Sequence, residues 1–530
     1  MEILDLAALS RSYGILSGSW EPWFWLVPGL LIGLLGGALP GISGTMILAL
    51  VLPATLYMDF FTAIIFLTSV FTGAGFGGAV PAILINMPGT TAAVSTAFDG
   101  FPMARQGRHN EALGLGLAAS TIGTFIGYII LLLLVNYAAW AALKLGPFEM
   151  SIVALWGITM IATLRGGRVE RGILAGLFGL LIGTIGIGPT GQPRGTFGIP
   201  ALFDGIPVVP AMIGLLATSE LFRLARSSFI VERAEDRVVS LPRIVAGFGM
   251  IRHHLGTLFR GSIIGVLVGA IPGVGSSVAN LLSYADARRT SPDPESFGNG
   301  NPRGVVASES ANSSSEGGSM GTLFALGLPG GGGTAVLLAA FAMHNVTGGP
   351  RFIADNKDVV YAIIVGNMVQ CIGLAIVGLF FIRLAVVVVR VPIRQLVPAV
   401  LVLAVAGSYV LTGNLMGPLT LAAFSLVGWL FQRYDFAPAA AVVGLLLGSF
   451  VERQFVYAHQ LSGGDLSFVF GRPIALVMLA LLLFSLLSPV IGAAQRRRKQ
   501  ALQAPQAESA HQNQEEEPDQ PAETSKRSTT

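Results

Sequence analysis

Long uncharged apolar stretches alternate along this chain with short polar joints. Runs at 112–143, 172–193, 261–285, 359–382, 395–432 and 473–495 each offer the roughly 20 residues that a helix needs to cross about 30 Å of hydrocarbon. The 395–432 run is long enough for two crossings, with its turn at Gly413-Asn414. Within lipid, a single segment satisfies its own backbone only as a helix. The pattern therefore predicts an all-α polytopic integral membrane protein of about 12 membrane segments.

The pattern also repeats. LIGLLGGALPGISG at 31–44 aligns without a gap with IIGVLVGAIPGVGS at 263–276. GGAVPAILINMPGTTAAV at 77–94 aligns, with small insertions, with GGSMGTLFALGLPGGGGTAV at 317–336. Each half thus carries two Pro-Gly breaks in the same order, which divides the chain as follows. An N-terminal segment, 1–22, precedes a first repeat at 23–143. Connecting membrane segments and a basic loop fill 144–260, a second repeat covers 261–394, C-terminal membrane helices cover 395–495, and 496–530 is a tail. That tail is rich in Gln, Glu, Pro, Ser and Thr without an apolar face, and is expected to be disordered.

Composition agrees with lipid as the solvent. The 530 residues are 53% hydrophobic and only 12% charged, and mean hydropathy is +0.70, too apolar to clothe a water-soluble globule of this length. The start, MEILDLAALSRSYG, lacks the basic, apolar and small-residue pattern of a signal peptide, so no removal is expected. The single cysteine, Cys371, excludes an internal disulfide and a multi-cysteine metal site. A net charge of +3 leaves no nucleic-acid patch.

Arginines set the expected orientation, because basic loops favour the cytoplasmic side. Segment 223–260 carries seven Arg against three acids, and Arg496, Arg497, Arg498 and Lys499 end the last apolar run. Both, and hence the C-terminus, are expected in the cytoplasm. Alternation places Arg383 to Arg394, Arg433, Arg165 to Arg171 and the Arg105/Arg108 loop on that side, with Arg351 and Arg453 outside. The second break of the first repeat is then followed by Arg105 inside and that of the second repeat by Arg351 outside, which is the inverted arrangement common in secondary transporters.

The breaks carry the candidate chemistry. The arms flanking NMPGTT and LPGGGG are expected to be half-membrane hairpins or broken helices with tips near the bilayer midplane. Backbone exposed there must line a cavity or be covered by protein. A helix starting after such a tip aims free N–H groups and its positive dipole end at the cavity, and so can hold an anion. Candidate solute ligands are Asn86, Pro88, Gly89, Thr90 and Thr91 on one tip, and Gly327, Pro329, Gly330, Gly331, Gly332 and Thr334 on the other. Two facing tips suit a small molecule with a carboxylate at each end. Glycines that merely permit tight packing or a kink are the plainer alternative.

Oxygen-bearing residues nearby suit sodium, a hard cation: Ser43, Thr45, Ser276, Ser277 and Asn280 around the first break of each repeat. In SESANSSSEGG, Glu309 and Asn312 lie three apart on one prospective helix face beside Ser308 and Ser313. They suit a coupling cation, a proton or helix capping. Glu316 reads as an N-terminal helix acid, and Asp99 as a turn or salt-bridge residue. His344 reads as a packing histidine. Gly41-Ile42-Ser43-Gly44 with His344 as base would be the arrangement of an intramembrane serine protease, a reading that rests on a four-letter match in a glycine-rich chain.

Taken together, LPGISGT, GGAVPAILINMPGTTAA, AFDGFPMARQGRHNEALGLG, GAIPGVGS, SESANSSSEGGS and LGLPGGGGTAVLLAAF resemble the large permease subunit of the tripartite tricarboxylate transporters, the TctA family, over roughly 20–495. The resemblance implies a non-enzymatic carboxylate importer of a bacterial inner membrane. It implies a cation gradient, sodium foremost, as driving force, with no other cofactor, and a small membrane subunit and a periplasmic solute-binding protein as partners. Met87 stands where the family often has Thr, Gly331 where it has Ser, Ser308 where it has Pro, and Ser313 where it has a second Asn. The lost hydroxyls argue for a less oxygen-rich carboxylate than citrate. A channel or scaffold without coupled transport is the alternative from another class.

Overall fold

The computed structural model describes residues 4–39, 43–86, 88–152, 155, 169–219, 221, 240–272, 274–388, 393–465, 471–480 and 482–483. The first half runs α1 (Leu6–Gly18), α2 (Glu21–Gly37), α3 (Gly44–Val51), α4 (Phe60–Ile85), α5 (Val94–Arg105) and α6 (His109–Leu143). Next come α7 (Val169–Gly183), α8 (Val208–Ile213) and α9 (Leu241–Gly249). The second half runs α10 (Leu255–Gly269), α11 (Gly275–Arg289), α12 (Pro302–Leu326), α13 (Gly332–Met343), α14 (Pro350–Asp355) and α15 (Lys357–Val388). Last are α16 (Ile393–Thr412), α17 (Met416–Arg433) and α18 (Pro438–Leu461). Among the described residues the strand content is one antiparallel pair, Gly186–Ile187 with Pro193–Arg194. Phe60–Leu84, His109–Leu143, Lys357–Leu384 and Pro438–Leu461 are long and apolar enough to cross a membrane. The chain is an all-α, multi-pass membrane protein.

The apolar runs at 112–143 and 359–382 lie within α6 and α15, and the turn at Gly413, with φ +64°, separates α16 from α17. Two runs differ from expectation. In 172–193 the helix stops at Gly183 and the remainder feeds the strand pair. The 261–285 run is two helices, because proline at 272 supplies no N–H to continue α10. The tail 496–530, most of the 473–495 run, Arg165 and Arg168, and the 222–239 part of the basic loop lie outside the described residues, as do Pro40, Gly41, Met87 and Gly273.

Glycine stripes set the tightest packing. Gly29, Gly33 and Gly37 recur every four residues, so they share one face of α2. A Cβ at Gly29 would lie 2.8 Å from the Phe66 carbonyl oxygen, and at Gly37 2.5 Å from that of Ala74, while at Gly33 it would overlap the carbonyl of Val70. The aligned glycines of the second repeat, Gly261, Gly265 and Gly269, do the same on α10. Added Cβ atoms at Gly265 and Gly269 would overlap the carbonyls of Ala311 and Ser315 on α12. Lipid gives no hydrophobic drive between helices, so such close backbone approach supplies the attraction through dispersion. The α2–α4 pair and the α10–α12 pair are therefore the same unit built twice.

Neighbour contacts fix the relative directions of the two units. Gly123 and Gly127 of α6 abut Ser310 and Ser314 of α12, and Leu131 abuts Gly321, so α6 and α12 run parallel. Gly366 of α15 meets Phe61 and Ile65 of α4, and Gln370 reaches Thr68 and Thr72, so these two also run parallel. Between α6 and α15 the order reverses: Leu117 meets Gly378 and Asn136 meets Tyr361. The equivalent helices α4 and α12 consequently point in opposite directions, and the repeats are inverted.

Both α10 and α11 are short, at 15 residues each. His253 and His254, just before α10, line one recess with Asp286 and Thr290 at the end of α11 and Arg303 at the start of α12. The pair is thus a re-entrant V that returns to its starting side, bent at Pro272.

Candidate functional site

The helices that lead into the second breaks are longer than expected. α4 has 26 residues and α12 has 25, whereas the arms that follow, α5 and α13, have 12 each. The expectation of two half-length arms around each tip is therefore corrected: a full-length helix precedes each break and a short one follows. In α4, Pro81 sits inside the helix without ending it. In α12, the polar run at 308–318 is helical rather than a loop, with Pro302 in its first turn and Asn301 capping the Arg303 N–H at 2.9 Å.

Each long helix ends on a left-handed residue, Asn86 with φ +57° and Gly327 with φ +68°. The chain then folds back beside its own helix. The Gly89 N–H donates to the Gly78 carbonyl at 3.0 Å, and a Cβ at Gly89 would overlap the Gly37 carbonyl. In the second repeat a Cβ at Gly330 would lie 2.6 Å from the Gly269 carbonyl oxygen and 2.7 Å from the Ser319 Cα. Counted back from the Pro-Gly pairs, Gly78 corresponds to Ser319, and in the first-break alignment Gly37 corresponds to Gly269. Both Pro-Gly tips are thus wedged at the same place, where the two helices of the glycine-striped pair diverge.

The repeats then cross. Thr91 Oγ1 lies 2.8 Å from Ser277 Oγ, and Asn280 Nδ2 donates to the Ala92 carbonyl. In the aligned place on the other side, Gly332 sits against Thr45, whose Oγ1 would be 2.5 Å from an added Cβ. Thr45 aligns with Ser277, and Thr91 with Gly332, so each repeat's second break touches the helix that follows the other repeat's first break. Ser276 and Ser277 are half-buried and Asn280 is fully buried; Ser43 is exposed and caps α3 through the Met46 N–H at 3.1 Å.

The glycines of the second tip do not all open space. Gly333 faces Phe71 and Gly332 faces Thr45, while a Cβ added at Gly331 would lie 3.1 Å from the Gly275 Cα. The Gly331 N–H and carbonyl are both engaged by Thr334 Oγ1, at 3.0 and 3.1 Å, and the Gly330 carbonyl accepts from the Gly275 N–H at 3.1 Å. The amides of Gly332 and Gly333, in the first turn of α13, have no acceptor within the helix. On the first tip Asn86 and Thr91 are exposed, Pro88 is half-buried, and Thr90 is buried with Oγ1 unpartnered. The Asn280 Oδ1 is likewise buried and unpartnered.

α12 carries an unusual load of polar side chains, and every residue from Gly304 to Met320 is buried. Some of that polarity is structural. Ser314, Ser319 and Thr322 donate to the carbonyls of Ser262, Gly269 and Ala270 at 2.9, 3.0 and 2.7 Å. The latter two are carbonyls that the end of α10 leaves without helical partners. The rest is chemical. Glu309 accepts from Thr96 of α5 and from Ser120 of α6, the latter at 2.8 Å. Asn312 is beside it and reaches the Gly75 carbonyl at 3.5 Å; Ser313 is buried on the same helix, and the Ser308 hydroxyl is buried without a partner. Glu316 is a mid-helix residue, not the N-terminal acid expected, and accepts from Tyr128 and Thr72 at 2.7 Å each. Thr72, Thr96, Ser120, Tyr128 and Gln370 were not singled out in the sequence. A tyrosine and a glutamine inside uncharged membrane-length runs were the available signal.

Asp99 pairs with none of the described arginines. Its Oδ1 accepts from the amides of Gly298, Gly300 and Asn301 at 2.8 to 2.9 Å, and its Oδ2 from Tyr284 at 2.9 Å. Among the described contacts, Ser43 and His344 do not pair: His344 rests edge-on against Phe60, centroids 5.9 Å apart.

Comparison with known proteins bears on this geometry. The sequence model described as "Tripartite tricarboxylate transporter TctA family" matches residues 23–444. An "Uncharacterized 52.8 kDa protein in TAR-I ttuC' 3'region" of Agrobacterium vitis is 33% identical over 457 residues, covering 86% of this chain and 90% of that protein. An "Uncharacterized protein in TAR-II ttuC' 3'region" of the same organism is 29% identical over 236 residues, 44% of this chain and 98% of that protein. No solved structure matches the chain.

Proposed function

The chain belongs to the tripartite tricarboxylate transporter TctA family, and we propose that it is the permease of a sodium-coupled, binding-protein-dependent carboxylate importer. It works in a bacterial inner membrane with its C-terminus in the cytoplasm. A periplasmic binding protein delivers the solute and a small second membrane subunit completes the complex. The observation that carries the reading is the crossed contact of the breaks: Thr91 against Ser277, and Gly332 against Thr45.

Carboxylate oxygens accept hydrogen bonds from the first-turn amides after each tip, where the helix dipoles favour negative charge. Asn86 and Thr91 complete the polar lining. Sodium takes the oxygens left over: the orphaned Asn280 Oδ1 with Ser277 and Ser276 on one side, and Thr45 with Ser43 on the other. Glu309, Asn312 and Ser313 form a second candidate set on α12. With glycine at 331 and the Thr334 hydroxyl engaged by the Gly331 backbone, the second tip offers backbone in place of a free hydroxyl, which favours a less oxygen-rich carboxylate than citrate. Relative motion of the inverted units exposes the site to each side in turn.

The test is uptake of labelled carboxylates into proteoliposomes that hold the permease and its small partner, with binding protein outside. Saturable uptake that an inward sodium gradient accelerates, and that weakens in Thr91→Val and Ser277→Ala while protein level holds, supports the reading. Unsaturable flux without a gradient would make the chain a channel.

A further inference from the structure

We propose that Glu316 carries a proton in each transport cycle, binding and releasing one H+ as the solute crosses; this rests on the transport reading above. The residue sits in the middle of α12, 4% exposed, and its carboxyl joins both repeats. Tyr128 of α6 reaches one oxygen and Thr72 of α4 the other, at 2.7 Å each. Gln370 of α15 donates to Thr72 Oγ1 at 2.6 Å and accepts from Ser69 Oγ at 3.0 Å. One carboxyl therefore organises four helices, two from each repeat.

Among the described residues no lysine, arginine or histidine forms an ion pair with Glu316. The ionisable groups that face it are Tyr128 from α6 and Cys371 from α15, while α4 presents only Thr72. From α10, backbone packs on the adjoining Ser315 and Gly318. The nearest acid on its own helix, Glu309, is two turns away with hydroxyl partners of its own. A lone buried carboxylate without a counter-charge is costly, and protonation removes the charge.

The partners serve both states. In the anion, Tyr128 and Thr72 each donate to one oxygen. When a proton binds Oε2, the new O–H donates to Thr72 Oγ1, which has a second lone pair for the Gln370 N–H and turns its own hydrogen away. Tyr128 continues to donate to Oε1. Uptake of the proton thus reverses one hydrogen bond at the junction between repeats and releases the Thr72 hydrogen from the carboxyl.

The experiment uses the full chain with its partner subunits in proteoliposomes, sodium equal on both sides. One arm measures accumulation under an imposed pH gradient, acid outside, and the other solute exchange without gradients. Wild-type protein is expected to accumulate solute with the pH gradient. Glu316→Gln is expected to lose that accumulation at least tenfold while exchange, which needs no net proton movement, persists. Tyr128→Phe removes a donor to the anion and is expected to move the pH midpoint of uptake upward. If Glu316→Gln itself fails to assemble, the Tyr128→Phe profile decides. An unchanged response to the pH gradient in Glu316→Gln, or an unmoved midpoint in Tyr128→Phe, overturns the proton proposal alone. Absence of exchange in the wild type overturns the transport reading on which it stands.

Discussion

Thr91 Oγ1 and Ser277 Oγ stand 2.8 Å apart, on opposite repeats and directly after the two kinds of break. The aligned place in the other half pairs Thr45 with a glycine, Gly332. Inverted repeats thus meet through a hydroxyl pair on one side and a hydroxyl against bare backbone on the other.

The hydroxyl pair gives a double-mutant test. Thr91→Val and Ser277→Ala each remove one partner and should raise the half-saturating solute concentration several-fold. The double variant should do little more harm than either single one, with a coupling of about 1 kcal/mol. Initial uptake rates for the four proteins measure it, and strictly additive losses would count against a functional pair.

Gly265→Leu should prevent stable assembly, since even a Cβ there overlaps the Ala311 carbonyl and backbone cannot step aside as a flexible side chain does. Overpacking of this kind costs about 1–3 kcal/mol or more. Gly256→Ala, on the same helix with nothing within 4 Å, is the control and should leave the melting temperature unchanged. Equal melting temperatures for both variants would mean that the stripe is not the packing seam.

Asp99→Ala strips an acceptor from three backbone amides. Of these the Gly300 donor is buried, and a buried donor left unpaired costs about 1–3 kcal/mol, so thermal stability should fall and protease should cut near 298–301. Asp99→Asn retains one side-chain oxygen and should lie between alanine and wild type. Limited proteolysis followed by mass spectrometry reads the site of opening.

At the N-terminus, Asp5 caps α1 through the Ala8 N–H and pairs with Lys357 at 3.0 Å. The amide, and then the ammonium, hold its carboxyl below the ordinary value of 3.8. A lowered folded-state value means that the anion's contribution is complete above the unfolded value and fades as pH falls through the folded one. Hydrogen exchange of the α1 amides, taken relative to the intrinsic rate at each pH, should therefore quicken on acidification below about pH 3.8, but not between pH 5 and 8. Lys357→Ala should bring some of that quickening to neutral pH, modestly, because exposed ion pairs are screened.

The sequence made some of this architecture readable and hid the rest for physical reasons. Uncharged length located α6 and α15, and a glycine between apolar runs located the turn at Gly413. The paired Pro-Gly breaks stood out because they recur in register. α12 did not: serine and asparagine favour water and turns in isolation, and only the carbonyls of a broken neighbouring helix and hydroxyls from three others make SESANSSSEGG a buried helix. The arm before the first tip misled in the opposite sense, since α4 runs on through Pro81 as a full-length helix. Glu309 was visible as an intramembrane acid, whereas the role of Glu316 depends on Tyr128 and Thr72, 188 and 244 residues away in sequence.

Asp99 lies on α5, the short helix that leaves the first break, and grips the turn at 298–301 that launches α12 of the other repeat. The first tip and the doorway of the second repeat are therefore one mechanical piece. Displacing α5 therefore pulls on the 298–301 turn through the Asp99 carboxylate, beside the Thr96–Glu309 hydrogen bond that also ties α5 to α12.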